Sequence, residues 1–230
     1  MIMQNNTVKI KIPKIIHYCW FGRNPKSELI LKCMQSWQNY LPEYQVIEWN
    51  EDSFDIDSNN YVKQAYKAKK WAFISDYVRL YALYEHGGIY LDTDVEVFKS
   101  LDRFLEHSAF SGFENYMGNL SPITAVMGSV PKGIWVENLL QYYKNKDFII
   151  NNQMDLTTNT QIITTQLKQK YNIKIDDSYQ VLADDIHIYP SDYLCNKSKN
   201  TYAIHHFNAS WIPKHHKFLS KIKKFILGKN

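Results

Sequence analysis

Gly87-Gly88-Ile89-Tyr90-Leu91-Asp92-Thr93-Asp94 is the stretch from which the rest of the chain is best read. Three apolar residues after a glycine pair predict a short buried strand, and it ends in two carboxylates two residues apart. The glycines close a long helical pattern over about 61–86, as residues tolerant of left-handed backbone do at helix ends. Further upstream, 44–49 reads as a strand. Ser27 caps a helix that carries Leu29, Ile30, Cys33, Met34 and Trp37 on one face and stops at Leu41-Pro42. The apolar run Lys11 to Cys19 reads as the first strand, and it enters the loop Trp20-Phe21-Gly22-Arg23-Asn24-Pro25. The order β-α-β-α-β predicts an α/β fold with a mostly parallel sheet and right-handed crossovers. In such sheets ligands bind beyond the carboxyl ends of the strands, where Trp20 and Asp92 both stand.

Downstream the alternation is weaker. Helices are expected near 134–145 and 160–171, and extended pieces near 179–182 and 202–207. No repeat, low-complexity tract or Pro/Gly linker divides the chain, so its body reads as one domain. With 230 residues, 45% hydrophobic and 22% charged, the composition is that of an ordinary globular protein and excludes disorder. The three cysteines, Cys19, Cys33 and Cys195, are odd in number and lack a Cys-x-x-Cys pair, which excludes a disulfide framework and a thiolate zinc site of usual spacing. No apolar run reaches the ~18–20 residues of a membrane span. The start, Met-Ile-Met-Gln-Asn-Asn, lacks a basic region followed by an apolar one, so a cytoplasmic location is expected. Six lysines at 214–230 outweigh the net charge of +4 and leave the other residues at −2. An acidic body carries no basic face for nucleic acid. The 24 lysines against three arginines (Arg23, Arg79, Arg103) suggest an AT-rich bacterial genome.

Chemistry concentrates in four places. Asp92-x-Asp94 follows a strand and supplies hard oxygen ligands of the kind that hold Mg²⁺ or Mn²⁺ against a diphosphate, though an acidic strand end is the plainer reading. Asp55-Ile56-Asp57 has the same spacing in a polar loop and reads as a solvated turn. Asp76 and Arg79 share one face of an apolar helix, either as an i,i+3 ion pair or as a polar clamp on phosphate and sugar oxygens. In His205-His206-Phe207-Asn208-Ala209-Ser210-Trp211, an imidazole could complete a cation's coordination, and Ser210 or Trp211 could touch phosphate or sugar. Trp20 is either a core aromatic or a stacking platform for a nucleobase. P-loop, dinucleotide, serine hydrolase and zinc protease signatures are all missing from the sequence.

Ile16-His17-Tyr18-Cys19-Trp20-Phe21-Gly22, Ser75-Asp76-Tyr77-Val78-Arg79-Leu80-Tyr81-Ala82-Leu83 and Gly87 to Asp94, in that order and spacing, resemble the family-32 glycosyltransferases with the DXD sugar-nucleotide motif. That family includes bacterial capsular and O-antigen enzymes and is similar to the catalytic domains of clostridial glucosylating toxins. The resemblance implies a GT-A type Rossmann-like domain over 1–213, with a nucleotide-sugar half at about 11–98 and an acceptor half at about 99–213. It implies retaining transfer of a hexose or N-acetylhexosamine from a nucleotide sugar, a UDP-sugar favoured, to a glycan or lipid-linked oligosaccharide, with Mn²⁺ or Mg²⁺ as cofactor. By the same resemblance Trp20 stacks on the base, Asp76 and Arg79 hold the donor sugar, and Asp92 contacts ribose and sugar. Ser210 and Trp211 lie on the donor, while Asp94 and His206 meet the metal; His206 is taken over His205 because the family places its histidine before an aromatic. Asn159-Thr160 departs from the Thr-Gly-Pro-like turn of many relatives.

The segment 214–230 places Phe218, Leu219, Ile222, Phe225 and Ile226 at helical spacing among lysines. It reads as a basic amphipathic helix, suited either to an anionic membrane surface or to packing on the body. A carbohydrate-binding module would use the 17 tyrosines and 6 tryptophans but leaves Asp92, Asp94 and Arg79 unexplained. A nucleotide-sugar phosphodiesterase would use the same acidic pair and release different products.

Overall fold

The computed structural model describes residues 11–122 and 125–208, so Ser210, Trp211 and the segment 214–230 lie outside the described residues. In chain order the elements are β1 (Ile15–Cys19), α1 (Glu28–Tyr40), β2 (Gln45–Trp49), α2 (Asn60–Lys67), α3 (Trp71–His86), β3 (Gly88–Leu91), β4 (Val95–Val97), β5 (Ala109–Tyr116), β6 (Asn119–Pro122), β7 (Val126–Ser129), α4 (Ile134–Leu140), β8 (Ile149–Ile150), β9 (Gln153–Met154), α5 (Asn159–Tyr171), β10 (Gln180–Leu182), β11 (Ile186–Tyr189), α6 (Ser191–Leu194) and β12 (Ala203–His205).

The three apolar runs of the first ninety residues become neighbouring parallel strands, with β1 between β2 and β3. The sheet continues through β7, β5, β11 and β10. The strands β7 and β10 run against their neighbours, while β5 pairs parallel with β11, so five of the seven strands on this path share one direction. Side chains alternate across the sheet with the period of two that strands impose. Tyr90, Ile186 and Ile188 join the core under α2 to α5, whereas Ile89, Leu91 and Tyr189 join the core that holds Trp37 of α1. Both faces of the sheet are therefore buried, as a crossover sheet requires.

The capped helix forms as expected: the Ser27 hydroxyl accepts from the Ile30 N–H, and Ile30, Cys33, Ser36 and Trp37 are its buried face. The pattern over 61–86 is two helices instead of one. The chain breaks at Ala68-Lys69-Lys70, where Lys69 takes a φ of +54°. There is no glycine or proline there to signal it. The break allows the indole of Trp71 to lie on Gly22, where an added Cβ would come within 2.7 Å of Cε2. Asp55-Ile56-Asp57 is the exposed turn its composition indicated, with Asp55 capping the Asp57 N–H at 3.0 Å and Lys63 pairing with Asp57 at 3.0 Å. The helix expected over 134–145 stops at Leu140, followed by one 3-10 turn.

The glycine pair has two jobs. Gly87 ends α3 with φ +64°, and Gly88 starts β3 with φ +103° and so close to β1 that a Cβ would meet the Ile15 carbonyl at 2.6 Å. That closeness also shapes the surroundings of His17, which is fully buried in the middle of β1. Trp49 Nε1 donates to His17 Nδ1 at 3.1 Å, so Nε2 carries the proton and donates to the Gly87 carbonyl at 2.8 Å. Burial, only partly opposed by the Gly87 hydrogen bond, pushes this imidazole down to about 4.

An unfolded chain takes up a proton at His17 below the usual histidine value of ~6.5, whereas the folded chain takes it up only near 4. Between those values the unfolded state binds more protons, so stability falls as pH drops through that window, by roughly 3 kcal/mol from this residue. We expect chemical denaturation of His17→Gln to show a flatter dependence between pH 6.5 and 4 than wild type, with lower stability at pH 7. Equal slopes in the two proteins would contradict this.

Candidate active site

β1 and β3 are adjacent and parallel, so the loops that follow them open at the same sheet edge. Trp20 leaves β1 with its N–H on the Trp49 carbonyl at 2.9 Å. Its indole Nε1 donates to the Asn24 carbonyl at 2.7 Å, and the Lys26 ammonium lies 5.4 Å from the ring centre. The half-buried ring lines an open cleft of about 490 Å³ with Asn24, Lys26, Glu48 and Asn50.

Asp92 leaves β3. Because Tyr90 stands two residues earlier on the same face, its hydroxyl reaches Asp92 Oδ1 at 2.9 Å. Arg79, 5% exposed, fills the space above it. Its guanidinium lies 4.4 Å from the Tyr90 ring centre, pairs with Asp76 Oδ1 at 3.2 Å and Asp92 Oδ1 at 3.3 Å, and donates from Nε to the Ser75 carbonyl at 3.2 Å. The i,i+3 ion pair is thus one side of a carboxylate–guanidinium–carboxylate chain whose guanidinium is buried and whose carboxylates are partly so. Burial pushes the Asp76 carboxyl up to about 6 against the pull of Arg79. Burial alone would lower Arg79, but the flanking carboxylate of Asp92, then Tyr90 and Asp76, hold it above the usual arginine value.

Asp94 faces a different partner from the one the sequence favoured. β12 runs antiparallel to β4, with His205 opposite Val95 and Ile204 opposite Glu96. Consecutive side chains leave this ribbon on opposite faces. His205 Nε2 lies 3.5 Å from Asp94 Oδ1, and its Nδ1 lies 3.8 Å from Glu114. His206 turns away, with Nε2 at 2.8 Å from Glu96, which also pairs with Lys32 of α1 at 2.8 Å. Of the two histidines, it is His205 whose ring stands beside the acidic pair, whereas His206, the metal ligand that the resemblance implies, lies on Glu96. Asp94 is fixed further by the Asn208 N–H, which donates to Oδ2 at 2.7 Å.

Burial would raise the Asp94 carboxyl, but the His205 imidazole outweighs it and holds Asp94 below the usual aspartate value. His205 itself is lowered by burial and then driven up to about 10 by Asp94 and Glu114. An imidazolium clamped between carboxylates is the charge balance that a bound cation would otherwise provide. Asp92, Asp94 and His205 each offer one ligand atom, all within 4.8 Å of one another, and this is the one such group among the described residues. Two carboxylates and an imidazole form a donor set that a divalent cation can share.

The structure thus brings Asp76, Asp92 and Asp94, all partly buried, together with the buried Arg79 into one array at the strand ends, with Trp20 on the neighbouring loop. Ser210 and Trp211 fall outside the described residues. Sequence reasoning gave no role to Tyr90, Glu114 or Asn159. For Tyr90 a signal existed, since it is two residues from Asp92 on one strand; Glu114 and Asn159 arrive from distant segments.

Residues 27–111 match a family model described as "Glycosyltransferase sugar-binding region containing DXD motif". The chain is 31% identical over 107 residues to "Inositol phosphoceramide mannosyltransferase 3" of Schizosaccharomyces pombe, covering 43% of this chain and 29% of that protein. It is 31% identical over 146 residues to "Mannosyl phosphorylinositol ceramide synthase CSH1" of Saccharomyces cerevisiae, covering 58% of this chain and 37% of that one. The matched stretches therefore span about a third of the curated relatives' length. A solved glycosyltransferase described as involved in glycosylation of the major capsid of PBCV-1 superposes with a TM-score of 0.51 at 12% identity, covering 86% of this chain and 95% of that one. Its likeness is one of fold, the mixed α/β sheet of the GT-A type. Residues 27–111 are thus similar to the glycosyltransferase sugar-binding region that contains a DXD motif, and they lie on a sheet of the GT-A type.

Proposed function

We propose that this chain is a metal-dependent, retaining glycosyltransferase that moves a neutral hexose from a nucleoside diphosphate sugar to a glycan acceptor. The observation that carries the reading is the cluster of Asp92, Asp94 and His205 beside the Asp76–Arg79–Asp92 ion-pair chain. Asp92, Asp94 and His205 would hold the cation. Mg²⁺ favours all-oxygen octahedral coordination, so an imidazole in the set favours Mn²⁺. When bound, the cation neutralises charge on the leaving diphosphate as a Lewis acid.

The protein's own residues supply orientation. Trp20 offers its face to the base, at a stacking strength of ~1–3 kcal/mol. Arg79 is held rigid by two carboxylates, so its charge can meet donor oxygens without loss of side-chain freedom. Asp76 accepts from sugar hydroxyls. The Asn208 N–H and His205 keep the Asp94 carboxylate ionised and aimed. Retention of configuration rests on the family resemblance. A UDP-sugar remains the favoured donor, and the mannosyl names of the two fungal relatives make GDP-mannose the second one to test.

The test is thermal melting with UDP, GDP, UDP-glucose, UDP-galactose and GDP-mannose, each in MnCl₂ and in EDTA. Ligand at 100 times its Kd adds about 2.7 kcal/mol, or roughly 5–10 °C for a chain of this size. One nucleotide series should raise Tm in Mn²⁺ and lose the effect in EDTA. Shifts of equal size in EDTA would contradict metal dependence, and no shift at all would contradict the donor site.

A further inference from the structure

Glu114 stands near the end of β5, four residues after Phe110, and side chains two and four apart on a strand share a face. Phe110 is fully buried in the core that holds Trp37, while Phe113 belongs to the core on the other side of the sheet. A carboxylate at the edge of an apolar face gives up hydration and needs a partner. Among the described residues Glu114 meets His205, with Oε2 3.8 Å from Nδ1 and the two side chains 19% and 13% exposed. That separation is an ion-pair contact and too long for a hydrogen bond. Nδ1 is itself buried and lacks a hydrogen-bond partner among the described residues. The opposite ring nitrogen, Nε2, faces Asp94 Oδ1 at 3.5 Å. The imidazole therefore spans from the acidic pair to a third carboxylate that arrives on a different strand.

The ring is also covered. Phe207 takes a φ of +50°, in a region that bulky side chains seldom occupy. The turn there lays its ring against His205, at 4.1 Å between centroids. Tyr116, two residues beyond Glu114 and on the same face of β5, packs on Phe207 at 4.4 Å. One strand thus reaches His205 twice, through the Glu114 carboxylate and through the Tyr116–Phe207 stack.

An imidazole that ligates through Nε2 keeps its proton on Nδ1, and the tautomer is set by the acceptor that Nδ1–H finds. Metal-ligating histidines almost always donate this N–H to a carboxylate, a carbonyl or water, and loss of the acceptor weakens the metal site. We propose that Glu114 is the positioning residue of the cation site: its carboxylate accepts the Nδ1–H of His205 and so turns Nε2 toward the space beside Asp92 and Asp94. The inference rests on the cation reading of that cluster. Glu114 touches neither cation nor donor and acts through the imidazole alone.

The experiment uses the full chain as wild type, Glu114→Ala, Glu114→Gln, His205→Ala and the Glu114→Ala/His205→Ala double variant. Each is titrated with MnCl₂ without donor, free Mn²⁺ being read by electron paramagnetic resonance, and each is melted in EDTA. Glu114→Ala should bind Mn²⁺ roughly 10- to 100-fold more weakly than wild type. Glu114→Gln keeps an oxygen that can accept from Nδ1–H, so it should recover most of that affinity. In the His205→Ala background, adding Glu114→Ala should change Mn²⁺ affinity less than about 2-fold, because no imidazole is left to orient. If melting shows Glu114→Ala to be unfolded, Glu114→Gln decides, with a weaker loss of Mn²⁺ affinity that again vanishes without His205.

Folded Glu114 variants with the affinity of wild type overturn the proposal. An equal loss with and without His205 overturns it too, since Glu114 would then bind the cation itself or act elsewhere. If wild type binds no Mn²⁺, the cation reading falls and this inference falls with it. If wild type binds Mn²⁺ and the variants match it, this inference alone falls.

Discussion

Arg79→Met will unfold at a lower temperature than any other single substitution in the site, and it will abolish transfer. Arg79 sits 5% exposed between Asp76 and Asp92, at 3.2 and 3.3 Å. Methionine fills similar space but leaves two carboxylates facing each other without the cation between them. Removing one partner of a buried charge network costs about 3–5 kcal/mol, which lowers Tm by roughly 10 °C here. Melting in phosphate buffer at pH 7.5 measures it. Adding Asp76→Asn to the variant should recover part of the loss, since one stranded charge disappears. A variant that melts within 2 °C of wild type would mean the chain is solvated and its charges weakly coupled.

The first ninety residues were legible because each signal there is local. Ser27 caps, Leu41-Pro42 stops, and Gly87-Gly88 supplies a left-handed turn and a close approach to Ile15. Where the outcome depends on tertiary contacts, the sequence is silent. The break at Ala68-Lys69-Lys70 has no breaker residue and exists because Trp71 packs against Gly22 and Tyr66. The reversed direction of β7 leaves no trace in Val-Met-Gly-Ser, since a buried strand reads alike in either direction. The hairpin of β5 and β6 turns at Met117-Gly118, with φ +54° and +82°, instead of the usual Asn-Gly signal.

The site followed the same division. Asp76, Arg79, Asp92 and Asp94 stand on elements whose order and spacing the chain spells out. The neighbouring histidines do not resolve without the register of β12 on β4, because a shift of one residue exchanges the faces. Asn159 was visible as a departure from the family turn, but its burial beside Asp76 needed α5 to be placed.

The second large effect separates those two histidines. His205→Ala removes one of three candidate ligands, and Asp94→Ala removes another. Loss of an interaction made to the leaving group in the transition state typically costs about 10²–10³ in kcat. Both variants should therefore turn over at least about 100-fold more slowly in saturating donor and require more Mn²⁺. His206→Ala should stay within about 3-fold, because its ring serves the Glu96–Lys32 pair, and partly exposed ion pairs contribute ~0–1 kcal/mol. Steady-state rates against Mn²⁺ concentration read the difference. If His206→Ala were the more damaged variant, the placement of β12 on β4 would be wrong in its consequences.

The central claim, that a cation held by Asp92, Asp94 and His205 helps a nucleoside diphosphate leave, is tested most directly by the products of donor hydrolysis. Wild type incubated with its preferred nucleotide sugar in MnCl₂ should slowly release nucleoside diphosphate and free hexose. EDTA or Asp94→Ala should stop the release. Nucleoside monophosphate with sugar phosphate would identify a phosphodiesterase, and donor recovered intact in Mn²⁺ would contradict the catalytic account.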